Sequence, residues 1–235
     1  MEGLLKGIFL ISISQLFILG YYLVCKQYTN VYIQEKRVYD VMVSVKKHLS
    51  EPEGLLLLIL YLMVSWNHKW LPQSYYDTNS SVQWIDVGRQ LLVQDGLQYI
   101  CHRIEHAIPL LYKLTHKKHH FFTNPNLFDS FQGSILDTSF MVIMPLYVTS
   151  HIIHTNTESY IVFGTIYSSW LTLIHSEFVH IWDPYLSKLG IGTAADHHVH
   201  HKTFKYNYGH IFMYWDILCY TYRNPSYVFG KNAHR

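Results

Sequence analysis

Formal charge is scarce in this chain. Only 14% of its 235 residues are Asp, Glu, Lys or Arg, against roughly 25% in an average soluble domain. A surface wetted on all sides is hard to build from that supply, while the 49% hydrophobic content excludes disorder. The 18 basic and 16 acidic residues leave a formal +2, too balanced for a nucleic-acid footprint. Cys25, Cys101 and Cys219 lie far apart and form no C-x-x-C, which excludes a disulfide scaffold and a thiolate metal site. The chain also lacks a low-complexity linker, a fixed-period repeat, G-x-G-x-x-G, a P-loop and G-x-S-x-G. The dinucleotide-binding, P-loop and serine-hydrolase classes lose their sequence support with them.

What the chain has in plenty is apolar length, aromatic rings and histidine. Gly7 to Cys25 is a run of 19 residues without formal charge. As a helix it reaches about 28 Å, near the roughly 30 Å thickness of a hydrocarbon core. No small-x-small cleavage site follows it, so a retained transmembrane helix is expected. Leu55–Trp66 is as apolar but shorter, and needs its flanks to span. Val82 to Cys101 is amphipathic and holds Asp86, Arg89 and Asp95, so in a bilayer its polar face must turn into protein. Thr138 to Ser176 carries one formal charge, Glu158, and reads as two apolar helices joined by a tight turn.

The expected fold is therefore all-α, an integral membrane bundle of four to five transmembrane or hairpin helices under a histidine-rich, metal-binding cap. Residues 1–80 would supply N-terminal membrane helices and a charged connector, and residues 81–235 the domain that carries the chemistry. Segments 26–53, 102–137 and 175–235 hold five, four and six Lys or Arg. In this arrangement they share one side, which the positive-inside rule makes cytosolic.

Histidine occurs 17 times, and three clusters stand out: His102 with His106; His116, His119 and His120; and His197, His198, His200 and His201. Residues three and four apart share a helical face, so His102 pairs with His106, His116 groups with His119 and His120, and His197 groups with His200 and His201. His198 lies about 100° round the helix and fits less well. Pro109 should break the helix between the first two clusters. Converging imidazoles repel when protonated and, when buried and neutral, need partners for both nitrogens; a transition metal resolves both problems. Eight ligands are too many for one ion, and two ions would take about four each. His175 is a plausible ninth ligand, and His180 joins only if its helix has ended. His48, His68, His151, His154, His210 and His234 are expected to be ordinary surface or core residues.

Ligand type leaves zinc, copper, iron and nickel open. Clusters just beyond membrane-helix ends face lipid, and oxidation of an unactivated C–H bond fits a pair of irons best. Hydrolytic zinc would need a general base, which Glu105 or Glu177 could provide. Asp95, Glu105, Asp196 and Asp216 are candidate partners for the far ring nitrogens, with Asp95 and Asp216 favoured. Lys117, Lys118, Lys202 and Lys205 could attract an acidic electron donor or lipid phosphate.

These residues resemble the sterol desaturase and fatty acid hydroxylase superfamily. Its D-x-x-x-Y-x-x-H-R-x-x-H is met by Asp95, Tyr99, His102, Arg103 and His106. The run L-Y-K-x-x-H-K-x-H-H is Leu111 to His120, and H-x-x-H-H is His197, His200 and His201. Tyr206-Asn207-Tyr208-Gly209 and Trp215-Asp216 follow. Within the superfamily, the ending looks most similar to the sterol C5-desaturases (lathosterol oxidases). Departures occur at Gly133–Asp137, where the family's H-P-x-D/E keeps only the acid, at His175-Ser176-Glu177 in place of H-D-G, and at Trp215–Thr221.

The resemblance implies a multi-pass enzyme of the endoplasmic reticulum, with its histidines facing the cytosol and two irons per chain. These would be held by His102, His106, His116, His119, His120, His175, His197, His200 and His201. It implies oxygen-dependent desaturation of a bilayer lipid, most closely a sterol, with electrons from a cytochrome b5-type donor. The alternatives are a sterol or fatty acid hydroxylase, a membrane zinc hydrolase, or an inactive binding relic.

Overall fold

The computed structural model describes residues 2–29 and 31–230; His234 lies outside them. The described residues are helical, with two isolated bridges, Tyr32 to Phe178 and Ile191 to Phe212. The first helix, α1 (Glu2–Tyr28), is apolar along nearly its whole length and at 27 residues measures about 40 Å. Next come α2 (Val41–Ser50), whose N-cap Asp40 accepts from the Val43 N–H at 3.1 Å, and α3 (Leu55–Asn67). Between these two, a Cβ at Gly54 would collide with the Phe131 carbonyl, so only glycine lets the chain pass there.

Among the described residues, three stretches are long and apolar enough to cross a membrane: Glu2–Tyr28, Val41–Asn67 and Ile135–Ile152. The expected amphipathic crossing near 82–101 is not among these three, and the reason is the polar face it was expected to turn into protein. There α4 (Trp84–Ala107) has the length but buries Gln90, Gln94, Asp95 and Gln98. The glutamines recur every fourth residue and so project from one face. Gln90 Nε2 donates to the Tyr75 hydroxyl at 3.1 Å and Gln94 Nε2 to Tyr167 at 3.0 Å, and Tyr167 donates on to Gln98 Oε1 at 2.9 Å. Buried amides in such a position are tolerated because they are paired.

After α5 (Pro109–Leu114) and a short α6 (Ile135–Thr138), a π turn over Ser139–Ile143 leads into α7 (Met144–Ile152). The chain turns at 153–156 and returns as α8 (Thr157–Leu173), capped by the Asn156 side chain on the Ser159 N–H. The apolar hairpin expected across 138–176 is thus present, with the π turn added on its first limb. Two further helices, α9 (Asp183–Leu186) and α10 (Ala194–Thr203), belong to the cap.

Candidate metal centre

Each histidine is placed by a local stop in the chain. Ile108 is extended where α4 ends, and Pro109 opens α5 at its first turn, where its missing N–H costs nothing. His102 and His106, one turn apart at the end of α4, are thereby separated from the next cluster. That cluster lies in a turn that tightens to a 3-10 helix at His119–Phe121. His175 lies just past the end of α8. Thr193 caps α10 in a reciprocal box with Asp196, which starts the helix one turn before His197.

The nine imidazoles form two groups, and both are built from shared clusters. His102, His106, His116, His120 and His200 bring one nitrogen each to within 4.8 Å of the others; His119, His175, His197 and His201 do the same. The second and third clusters therefore do not each face one site, as a common helical face would have them. His119 parts from His116 and His120 because the chain there is 3-10 rather than α, and His200 parts from its helix neighbours to join the other group. The groups adjoin: the His116 and His119 rings are 5.2 Å apart, and those of His120 and His201 are 4.9 Å apart.

The ring nitrogens test whether a metal fits. His102 Nδ1 lies 2.8 Å from the Tyr208 carbonyl, and His116 Nδ1 lies 2.8 Å from Asp137 Oδ1. A carbonyl can only accept, so on His102 the proton sits on Nδ1 and leaves Nε2 bare; Asp137, as a carboxylate, does the same for His116. Yet the two Nε2 atoms face each other at 2.9 Å. The other group repeats this: His119 and His175 donate through Nδ1 to the Gln132 and Leu171 carbonyls, while their Nε2 atoms stand 3.4 Å apart. Lone pair pointed at lone pair in a buried site is unfavourable unless a cation lies between. The donor set fits metal.

Burial keeps these rings neutral. It lowers His106 and His116 to about 3 and His119 to about 4, with neighbouring imidazoles adding to the effect at His106 and His119. His102, His120, His175, His197, His200 and His201 are lowered further for the same first cause. Each is thus ready as a ligand at neutral pH. Glu105, fully buried 3.5 Å from His116 Nδ1, moves the other way. Burial and then the adjacent Asp137 push its carboxyl well above the usual range, so Glu105 carries a proton and adds no charge to the site.

Asp95 and Asp216 do not reach ring nitrogens, contrary to the role expected of them. Asp95 accepts from the backbone N–H groups of His210, Ile211 and Phe212 at 2.8–3.2 Å. Asp216 accepts from those of Tyr208 and Gly209 at 2.9 and 2.8 Å, and from the Thr221 hydroxyl. Together they clamp five consecutive N–H groups, holding the loop whose Tyr206 and Tyr208 carbonyls orient His200 and His102. An acidic side chain one step removed serves a metal site in the same direction as a direct partner. Asp216→Asn is accordingly expected to weaken metal affinity about 10- to 100-fold, checked by equilibrium dialysis of the metal; unchanged affinity would show the loop to be held without it.

Three positions at the site escape the sequence reading. Asp137 is the carboxylate that meets a ligand ring, and its signal was the acid kept where the family's H-P-x-D/E is otherwise lost. Ser134, at the position of the lost histidine, caps α6 at the Asp137 N–H and donates to the Thr115 carbonyl. It thereby sets Asp137 in place. His210, expected to be ordinary, is buried between His102 and His197, each ring 5.2 Å away. Its sequence signal was its place immediately after Tyr206–Gly209.

The remaining histidines stay apart from both groups. His198 donates through Nε2 to the Ser176 carbonyl and accepts through Nδ1 from Gln34. His180 bonds Tyr21 and stacks on Trp182. His48 lies against Phe128, and His68, His151 and His154 are exposed. Glu177 receives hydrogen bonds from Tyr22 and Tyr39, which ties up the candidate base. Lys118 pairs with Glu51 and Glu53, so it is less free to attract a partner than Lys117, Lys202 and Lys205, which are exposed.

The fold and site define a class: a helical protein with candidate membrane spans and two adjoining polyhistidine clusters able to hold metal. Residues 88–221 match the fatty acid hydroxylase family, and the chain belongs to it, within the sterol desaturase and fatty acid hydroxylase superfamily. It is 47% identical over 232 residues to an alternative squalene epoxidase of Phaeodactylum tricornutum, covering 95% of this chain and 67% of that one. A Delta(7)-sterol 5(6)-desaturase of Eremothecium gossypii is 32% identical over 62% of this chain, and a lathosterol oxidase of Rattus norvegicus 31% identical over 61%. The chain spans 40% and 47% of the lengths of those two. No solved structure matches. At superfamily level these likenesses and the clusters support an iron- and oxygen-dependent enzyme that modifies lipid.

Proposed function

We propose that this chain is a membrane di-iron oxygenase that epoxidises a linear isoprenoid hydrocarbon of the squalene kind. The observation that carries the metal centre is the bare Nε2 pairs at 2.9 and 3.4 Å, one in each histidine group. In this reading the nine histidines hold two irons, five around one and four around the other. Bound iron supplies the capacity to activate dioxygen and oxidise carbon. The substrate assignment follows the relative matched along 95% of the chain at 47% identity. One oxygen atom enters the alkene and the other leaves as water, which takes two electrons and two protons. The electrons come from a cytochrome b5-type donor on the cytosolic face of the endoplasmic reticulum membrane.

The protein's own part is positioning and exclusion of water. Between the metal groups and the membrane helices lies a pocket of about 50 Å³, walled on one side by His116, His119, His175 and His210 and on the other by Phe131, Met141, Val142 and Leu171. An apolar carbon pressed into it meets the histidine face without bulk water. The Asp137 carboxylate holds the His116 ring by its Nδ1 proton, and Asp95 and Asp216 hold the loop behind His102 and His200.

A second reading, C5-desaturation of a sterol, is favoured by the 31–32% identity to the desaturase and the lathosterol oxidase over about three fifths of the chain. Product analysis separates the two. In cells lacking both endogenous activities, the chain is expected to yield squalene epoxide that carries oxygen from isotopically heavy dioxygen. A new sterol double bond with no oxygen incorporated would replace this reading with the second.

A further inference from the structure

A long apolar crevice runs beside the metal-lined pocket. It encloses about 360 Å³ between α1, α3 and α8. Its lining on α1 extends from Gly3 to Leu19, about 24 Å along the helix axis at 1.5 Å per residue. The polar groups on it are few and mostly engaged: Thr172 donates to Gln15 at 3.2 Å, and His48 bonds the Phe128 carbonyl. No charged side chain lines it, so nothing there would hold an ionic head group.

Leu58, Phe131 and Leu171 line the crevice and the histidine-walled pocket alike. They are the wall common to a long apolar space and a small one at the histidines. A water position needs roughly 10–15 Å³ of such space, so the pocket's 50 Å³ has room for only a few atoms. A fused ring system is too broad for it; the tip of a chain is not.

We infer that this shared wall opens as a neck and that the crevice binds the substrate as an extended apolar chain, end-on, so that only the carbons at its tip reach the histidines. This rests on the lipid-oxygenase reading above and adds a binding site and a binding mode. The three shared wall residues set the crevice directly against the reacting pocket, a placement that a groove merely filled by bilayer lipid has no reason to keep.

Gly164 supplies the test. It lines the crevice, and a Cβ there would meet only Ile11 Cδ1, at 3.8 Å. Gly164→Phe therefore projects a ring into open crevice without striking backbone. Gly20 has nothing within 4 Å of a Cβ and does not line the crevice, so Gly20→Phe adds the same bulk elsewhere. The full chain is purified in detergent, and bound radiolabelled squalene and iron are measured per chain.

Gly164→Phe is expected to lower retained squalene at least tenfold, with iron content unchanged and Gly20→Phe like wild type. Gly164→Leu, a smaller change, should give an intermediate loss. Equal retention by wild type and Gly164→Phe, or displacement of nothing but phospholipid, overturns the site. An epoxide at an internal double bond overturns the end-on mode. Crevice-dependent retention without turnover would leave the site standing and sink the oxygenase reading instead.

Discussion

His119→Ala and His200→Ala are each expected to cost at least about 10²-fold in turnover, beyond the 10- to 100-fold that follows loss of an outer partner. The two changes should differ in metal content. His119 belongs to the group of four, and its removal leaves three imidazoles; His200 belongs to the group of five, and its removal leaves four. Four ligands suffice to close a metal site, whereas three leave it open. On the di-iron reading, His119→Ala is therefore expected to hold one of its irons far more weakly, and His200→Ala to keep more of its metal while losing activity. His154→Ala, at an exposed ring, should change neither. Metal analysis beside oxygen consumption checks all three, and equal losses across them would dissolve the assignment.

That asymmetry was not readable in the sequence. The spacing of His102 with His106 and of His197 with His200 and His201 shows which residues project together from a helix, since periodicity is a local property. It does not show that the second and third clusters are each divided between two centres. The division at His119 goes with a 3-10 turn over His119–Phe121, which the helical spacing of the histidines does not announce. For the same reason Asp95 and Asp216 were legible as important and illegible in action. Both stand close to the histidines along the chain, but each spends its oxygens on backbone N–H groups of a loop 208–212 whose position is set by the tertiary fold. The membrane helices divide likewise. The uncharged run in α1 announces itself by length alone, whereas α4 hides its role because its buried side carries Gln90, Gln94 and Gln98, which mean something only opposite Tyr75 and Tyr167.

Neutral imidazoles also make the centre sensitive to acid in a definite direction. His106, His116 and His119 are held near 3, 3 and 4 in the folded chain, against an ordinary value of 6.5. The unfolded chain therefore binds more protons than the folded one between about pH 6.5 and 4, and stability falls as pH drops through that window. At about pH 5 the linkage is worth roughly 2 kcal/mol per histidine, so three together approach the 5–15 kcal/mol that holds a typical domain folded. Bound metal meets the same competition, because each ligand must lose it to accept a proton. Dialysis from pH 7 towards pH 5 is expected to release the metal steeply, with several protons taken up for each ion lost, and helix content should fall over the same interval. Retention of metal and helix content down to pH 4 would mean that the rings are not buried neutral ligands at all.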